Sequence, residues 1–270
     1  MGINDVISLP REVVKLSKGI CSINEEVLNQ ASLKNQVFSP PANWVWTGER
    51  PVITEISPSV DNAAARGLFN RLLELLAACK PEWTGDAERL KALGEAEFCE
   101  LVECTIKGDM PGFQGITGSL GTAPEVAGFI LFHTVRPFLK LYSEAVNPVL
   151  DTELWMESFC PVCGGAPAIA RVESGDGRRY LRCGSCDTEW LFRLLSCPRC
   201  GNDDHSSLAF LRIEETPGYE LHVCESCGGY IKAVNERNGG DRQVMEDETA
   251  TVYLDLIAEQ RGYRTETGNA

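Results

Sequence analysis

Residues 160–164 read Cys-Pro-Val-Cys-Gly and residues 183–187 read Cys-Gly-Ser-Cys-Asp. The pattern then returns, as Cys-Pro-Arg-Cys-Gly at 197–201 and Cys-Glu-Ser-Cys-Gly at 224–228. Two residues between cysteines let one tight turn aim both sulfurs at a single ion, and this is a metal-ligand spacing. Such a turn closes on a residue with positive φ, which favours glycine. Gly164, Gly201 and Gly228 stand at that place, and Asp187 is a tolerable left-handed substitute at the fourth. Pro161 and Pro198 pre-set the first turn residue in two of the four knuckles.

The four pairs form an internal repeat: a Cys-Pro-x-Cys-Gly knuckle, enough chain for a hairpin (164–182, then 201–223), and a Cys-x-Ser-Cys knuckle. The simplest grouping is sequential, with Cys160, Cys163, Cys183 and Cys186 on one ion and Cys197, Cys200, Cys224 and Cys227 on the other; an interleaved grouping stays open. Four thiolates in a closed tetrahedral set suit Zn²⁺ or a mononuclear iron, as in rubredoxin, and two mononuclear ions are the expected cofactors. Iron–sulfur clusters also take four thiolates, but the paired knuckles favour single ions. A closed site leaves no position for a catalytic water, so hydrolytic metal chemistry is not expected. The plainer role of such ions is to staple folds too small for a large core.

Working outward, residues after Trp155 lose helical periodicity, and strand-like runs appear at Arg179–Leu181, Leu191–Leu195, Leu208–Ile213 and Tyr219–Val223. Before it, apolar residues at Leu68, Leu72, Leu75, Leu76 and Cys79 mark one face of a helix over Asp61–Cys79, ended by Pro81. A second helix is expected over Asp86–Ile106 and a third from Pro124, with Pro137 kinking it or starting a new one. The glycine-rich stretch between Lys107 and Ala123 reads as a loop, with contact to a ligand or partner as the lesser reading. A closing helix is expected over Asp247–Arg261, stopped by Gly262. The fold class is therefore α+β: a helical N-terminal domain (1–154), two rubredoxin-like or zinc-ribbon modules (155–195 and 196–240), and a C-terminal helix and tail (241–270).

Composition narrows the function. A net charge of -14 argues against a nucleic-acid partner, which needs a basic surface. No apolar run reaches the ~18 residues of a membrane span, so membrane insertion is not expected. The start, Met-Gly-Ile-Asn-Asp-Val, has neither a basic region nor an apolar signal core, and Val6 stands where myristoylation wants Ser or Thr. A cytoplasmic location follows as the expectation, and it suits 12 cysteines arranged as ligands rather than disulfides. Cys99 and Cys104 do not make a ligand pair on a helix, and Cys21 and Cys79 read as small buried apolar residues. His205 could displace a ligand and His222 could support one, while His133 reads as a core histidine. No Ser–His–Asp or paired-carboxylate arrangement stands out, so no enzyme is expected. Arg171, Arg178, Arg179, Arg182, Arg193 and Arg199 crowd the first module; they offset the thiolates' charge or form a docking surface.

The cysteine repeat, with Arg179-Tyr180-Leu181-Arg182 before Cys183, Asp187-Thr188-Glu189-Trp190 after Cys186, then Arg193, and Gly228-Gly229-Tyr230-Ile231-Lys232 after Cys227, resembles the formate dehydrogenase accessory protein FdhE family. The tail Thr251–Tyr263 is similar to that family's closing helix, and Arg136-Pro137-Phe138-Leu139 and Tyr142 fit upstream. The resemblance implies a cytoplasmic assembly factor that binds the catalytic subunit of a formate dehydrogenase, with iron in rubredoxin-like sites. It also implies a helical domain followed by two ribbons. In this reading the glycine-rich stretch, the helices and the arginines meet the client, and self-association is left open. The alternative is an electron carrier or thiol-redox factor using iron at the four-cysteine sites; a nucleic-acid-binding zinc ribbon ranks third.

Overall fold

The structure, a computed structural model, describes residues 10–30, 41, 43–214, 216–246 (the Glu246 side chain apart) and 250–264. The described residues divide into two compact units: 10–30 with 58–145, and 41–57 with 146–264.

The first unit is helical. Helix α1 (Arg11–Leu28), unread in the sequence, buries Leu16, Ile20 and Val27 along one face and packs on α3 (Asn62–Cys79). Asp61 caps α3 by accepting from the Ala64 N–H at 2.9 Å, and the face expected from periodicity is the one buried, with Leu68, Leu72 and Leu76 under 3% exposed. The expected helix over Asp86–Ile106 is two helices, α4 (Thr84–Lys91) and α5 (Glu95–Lys107). Gly94 breaks it: its N–H donates to Glu97 at 3.1 Å, capping α5 instead of continuing α4.

The stretch read as a glycine-rich loop is a helix over much of its length, α6 (Met110–Ser119). Asp109 caps it by accepting from Gly112 N–H at 3.1 Å. Glycine weakens a helix by about 1 kcal/mol each, but at Gly112 it is needed: a Cβ there would lie 2.6 Å from the Asp109 carboxylate and 2.8 Å from the Cys104 sulfur. Phe113 and Thr117 are buried. Helix α7 (Pro124–Val146) continues through Pro137, with no new start. Proline costs a helix interior roughly 3 kcal/mol. Val126, Ala127, Ile130, Leu131, Val135, Phe138, Leu139, Leu141 and Tyr142 are all buried, and that outweighs it.

The second unit holds a six-stranded sheet built from the cysteine repeat. Each half is an antiparallel meander: β1 (Pro167–Val172), β2 (Arg179–Cys183) and β3 (Glu189–Phe192), then β4 (Leu208–Arg212), β5 (Tyr219–Cys224) and β6 (Gly229–Asn235). The two halves are not separate ribbons. Strand β1 pairs with β6 in parallel, from Ile169↔Lys232 to Val172↔Asn235, so the strand order is β3-β2-β1-β6-β5-β4. Arg171 fastens this seam, reaching Glu189 at 3.3 Å and Glu236 at 3.4 Å over the Tyr180 ring.

Helix α8 (Val252–Gln260) covers the β5–β6 hairpin, joining Leu254 and Ala258 to Ile213, Leu221, Val223 and Tyr230 in one core. It ends on Gly262 at φ 87°, with the Gly262 and Tyr263 N–H groups returning to the carbonyls of Glu259 and Ala258. The expected first turn, Asp247 and Glu248, lies outside the described residues. The fold class expected from the sequence, helices followed by ribbon modules with a closing helix, is the one observed.

Candidate metal centres

The knuckles sit at matching places in the two halves: the first precedes the meander and the second turns between its last two strands. Each closes with positive φ, at 72° for Gly164, 74° for Gly201 and 66° for Gly228. Among the described residues Asp187, at 62°, is the one non-glycine in that region. The turn is held by a short ladder: Gly164, Gly201 and Gly228 N–H return to the carbonyls of Cys160, Cys197 and Cys224 at 2.9–3.0 Å. Backbone N–H groups of Val162, Ser185 and Arg199 point at the sulfurs of Cys160, Cys183 and Cys197 at 3.3–3.4 Å. Such donors stabilise thiolate.

The sulfurs converge in sequential groups. Those of Cys160, Cys163, Cys183 and Cys186 lie within 4.8 Å of one another, and so do those of Cys197, Cys200, Cys224 and Cys227. Across the first cluster the Cys160–Cys186 and Cys163–Cys183 separations are 3.5 and 3.4 Å; across the second, Cys197–Cys227 and Cys200–Cys224 are both 3.8 Å. A metal–sulfur bond of ~2.3 Å in a tetrahedron places sulfurs ~3.8 Å apart, so both clusters fit a four-coordinate ion, and no separation is that of a disulfide. Each group could hold one ion. Burial pushes the Cys160 thiol well up, and it raises those of Cys197 and Cys227. Four thiolates crowded together need a cation among them.

The two clusters differ in cover. In the first, Cys160, Cys183 and Cys186 are at most 2% exposed. A short helix α2 (Val52–Glu55) from the early part of the chain caps its first knuckle: Val52 and Ile53 N–H donate to the carbonyls of Pro161 and Val162 at 2.8 and 2.9 Å. Trp46, Trp155 and Phe159 stack in sequence nearby, with ring centroids 5.7 and 5.1 Å apart. Trp190, fully buried, donates to the Glu157 carbonyl at 2.9 Å. In the second cluster Cys200 is exposed and Cys227 is half-buried. Asn202 donates to the Cys224 sulfur at 3.6 Å.

The arginines read as a docking surface mostly are not one. Arg179 is 2% exposed. It leaves β2 of the first half and donates to the carbonyls of Arg193, just past β3, and of Ser196 next to Cys197, the latter at 2.6 Å. It also donates to His222 Nδ1 at 3.3 Å and stacks on Phe192. Among the described residues no carboxylate pairs with it. Burial lowers its guanidinium to about 10, against the pull of the Cys197 sulfur. Arg182 is paired with Asp187 at 3.2 Å, Arg171 is buried, and Arg199 donates to the Tyr230 carbonyl at 2.6 Å. Of the six, Arg178 and Arg193 present exposed side chains.

The histidines and remaining cysteines fall as follows. His222 is buried and held neutral, first by burial and then by the Arg179 cation. His205 is exposed and outside both clusters, and His133 is buried between the rings of Phe129 and Phe132. Cys79 is buried as expected, but Cys21 is exposed, lying on the outer face of α1.

Known proteins agree with this architecture. A family model described as the FdhE central domain matches residues 159–193. An FdhE homolog of Aquifex aeolicus is 28% identical over 186 residues, 68% of this chain and 61% of that one. A homolog from Enterobacter sp. is 32% identical over 206 residues, covering 71% and 61%, and the FdhE of Escherichia coli O127:H6 is 27% identical over 204, with the same coverage. The matched region thus spans about 61% of the length of these relatives. The crystal structure of FdhE from Pseudomonas aeruginosa has a similar fold, with a TM-score of 0.57 at 19% identity over 96% of this chain and 88% of that one.

Proposed function

We propose that this member of the FdhE family is a metal-binding accessory protein for formate dehydrogenase, acting on the enzyme's catalytic subunit in the cytoplasm before that subunit is complete. The observation that carries the metal half of this reading is the pair of four-sulfur clusters with tetrahedral spacing. Cys160, Cys163, Cys183 and Cys186 would hold one iron or zinc ion, and Cys197, Cys200, Cys224 and Cys227 the other. A bound ion cross-links chain that is far apart in sequence, and with iron it also supplies one-electron redox chemistry. The accessory half is supported by the family resemblance. A four-thiolate site has no open coordination position, which suits a binding protein better than a metallohydrolase.

The test is co-purification. The chain, tagged and expressed with a formate dehydrogenase catalytic subunit lacking its cofactor, is expected to retain that subunit and to lose it when the subunit matures. Equal recovery of an unrelated apoprotein of similar size would sink the accessory reading. Metal analysis of the same material tests the cluster reading separately, since the clusters bind ions whether or not the client is present.

A further inference from the structure

The two centres share one design but not one environment. Around the first, Cys160, Cys183 and Cys186 are buried and Cys163 is half-buried, with α2 over the first knuckle; around the second, Cys197 and Cys224 are buried, Cys227 is half-buried and Cys200 is exposed. A Cβ built on Gly164 would meet the Pro51 ring at 3.6 Å, whereas one built on Gly201 or Gly228 meets nothing within 4 Å. The first knuckle of the second centre is therefore uncovered at Gly201, while its second knuckle is tied to the tail, where the Arg264 N–H donates to the Gly228 carbonyl at 2.9 Å. Cys200 is exposed there, and a shallow cavity lined by Leu194, Phe210 and His222 reaches the centre at Cys197 and Cys224. Phe210 and Leu194 are 40% and 38% exposed. Strand β4 borders this region as an edge of the sheet.

From this asymmetry we infer that the second centre (Cys197, Cys200, Cys224, Cys227) is the exchangeable and chemically reactive one, entered through Cys200, while the first is a permanent staple. The inference rests on the metal reading proposed above. A ligand sulfur must be reached before its metal bond can be attacked, and reactive thiolates are the partly exposed ones. To reach Cys160, Cys183 or Cys186 a reagent needs the cover of the first centre to open, and local opening of well-packed structure is rare. Reaching Cys200 needs no opening.

The experiment uses the full chain loaded with two zinc ions and an organomercurial reagent, with a colorimetric zinc indicator following release. Each thiolate takes one organomercurial cation, and the ion leaves as Zn²⁺ once its four ligands are capped. The expected result is two phases of equal amplitude, with the first at least about tenfold faster. Mapping of the labelled cysteines at half-release is expected to find Cys197, Cys200, Cys224 and Cys227 modified and Cys160, Cys163, Cys183 and Cys186 protected. Release of both ions in one phase, or earlier labelling at the first four cysteines, overturns the inference while leaving the metal reading intact. A chain that takes up no zinc overturns both.

Discussion

Arginine at position 179 offers the sharpest test of how the two halves of the sheet are joined. Replacing it with alanine strands the part-buried Arg193 carbonyl and the buried Ser196 carbonyl and removes the donor to the buried His222 Nδ1. A hydrogen bond to a charged group contributes about 1.5–3 kcal/mol, and three such bonds are lost. The relief of no longer burying a cation offsets part of that, leaving a cost of about 3–5 kcal/mol, in the range seen when one partner of a buried polar pair is removed. At ~2–4 °C per kcal/mol for a domain of this size, the melting temperature should fall by about 10 °C or more. The assay is calorimetry on chains loaded with zinc at one fixed excess, because bound metal itself raises the midpoint. Arg193→Ala is the control: its side chain is exposed and its carbonyl survives the change, so a shift within about 1 °C is expected. Arg179→Lys keeps the charge but not the fork and should fall between the two. If Arg179→Ala melts within a degree or two of the parent, or Arg193→Ala falls as far, the buried guanidinium does not join the halves and the reasoning is wrong.

The remaining predictions are local. Asp187→Val places a β-branched residue at φ 62° and removes the Arg182 ion pair; a loss of about 2 kcal/mol is expected in urea unfolding, whereas Asp187→Gly should be near neutral. Gly112→Ala, favourable by helix propensity, should instead destabilise by about 1 kcal/mol or more, because the new methyl disrupts the Asp109 cap and presses on Cys104; a stabilised variant would mean that α6 does not pack as described. Cys183→Ser, at the buried end of β2, should cost the chain both ions, since β2 also carries Arg179, while Cys200→Ser should cost only the second; metal content of the two purified variants decides this. Acidification should release metal, because protons compete for the thiolates, and the affinity should rise with pH; pH-independent zinc binding would argue against thiolate ligation.

What could be read from the sequence was whatever local chemistry determines. A knuckle needs a left-handed residue at its close whatever the rest of the chain does, so Gly164, Gly201, Gly228 and even Asp187 were legible. The same holds for α3, whose buried stripe repeats every turn. The features missed depend on partners distant in the chain. Strand β6 is buried along nearly its whole length, so it lacks the alternation that marks a half-exposed strand, and its parallel partner β1 is distant in the chain. The cap that Val52 and Ile53 place on the first knuckle joins segments more than a hundred positions apart. The glycines of α6 read as loop because propensity cannot foresee that Cys104 leaves room for nothing larger at Gly112. Arg179 read as surface because arginine usually is; its burial follows from two carbonyls and an imidazole that no spacing rule connects to it.

The central claim is that each chain holds two ions on eight named thiolates. The most direct measurement is metal analysis, with native mass spectrometry, on chain purified without air and without added metal. Two iron or zinc ions per chain are predicted, with Cys160, Cys163, Cys183, Cys186, Cys197, Cys200, Cys224 and Cys227 shielded from alkylation until the metal is removed. A folded chain that carries no metal, or whose eight thiols alkylate freely while metal is bound, would contradict it.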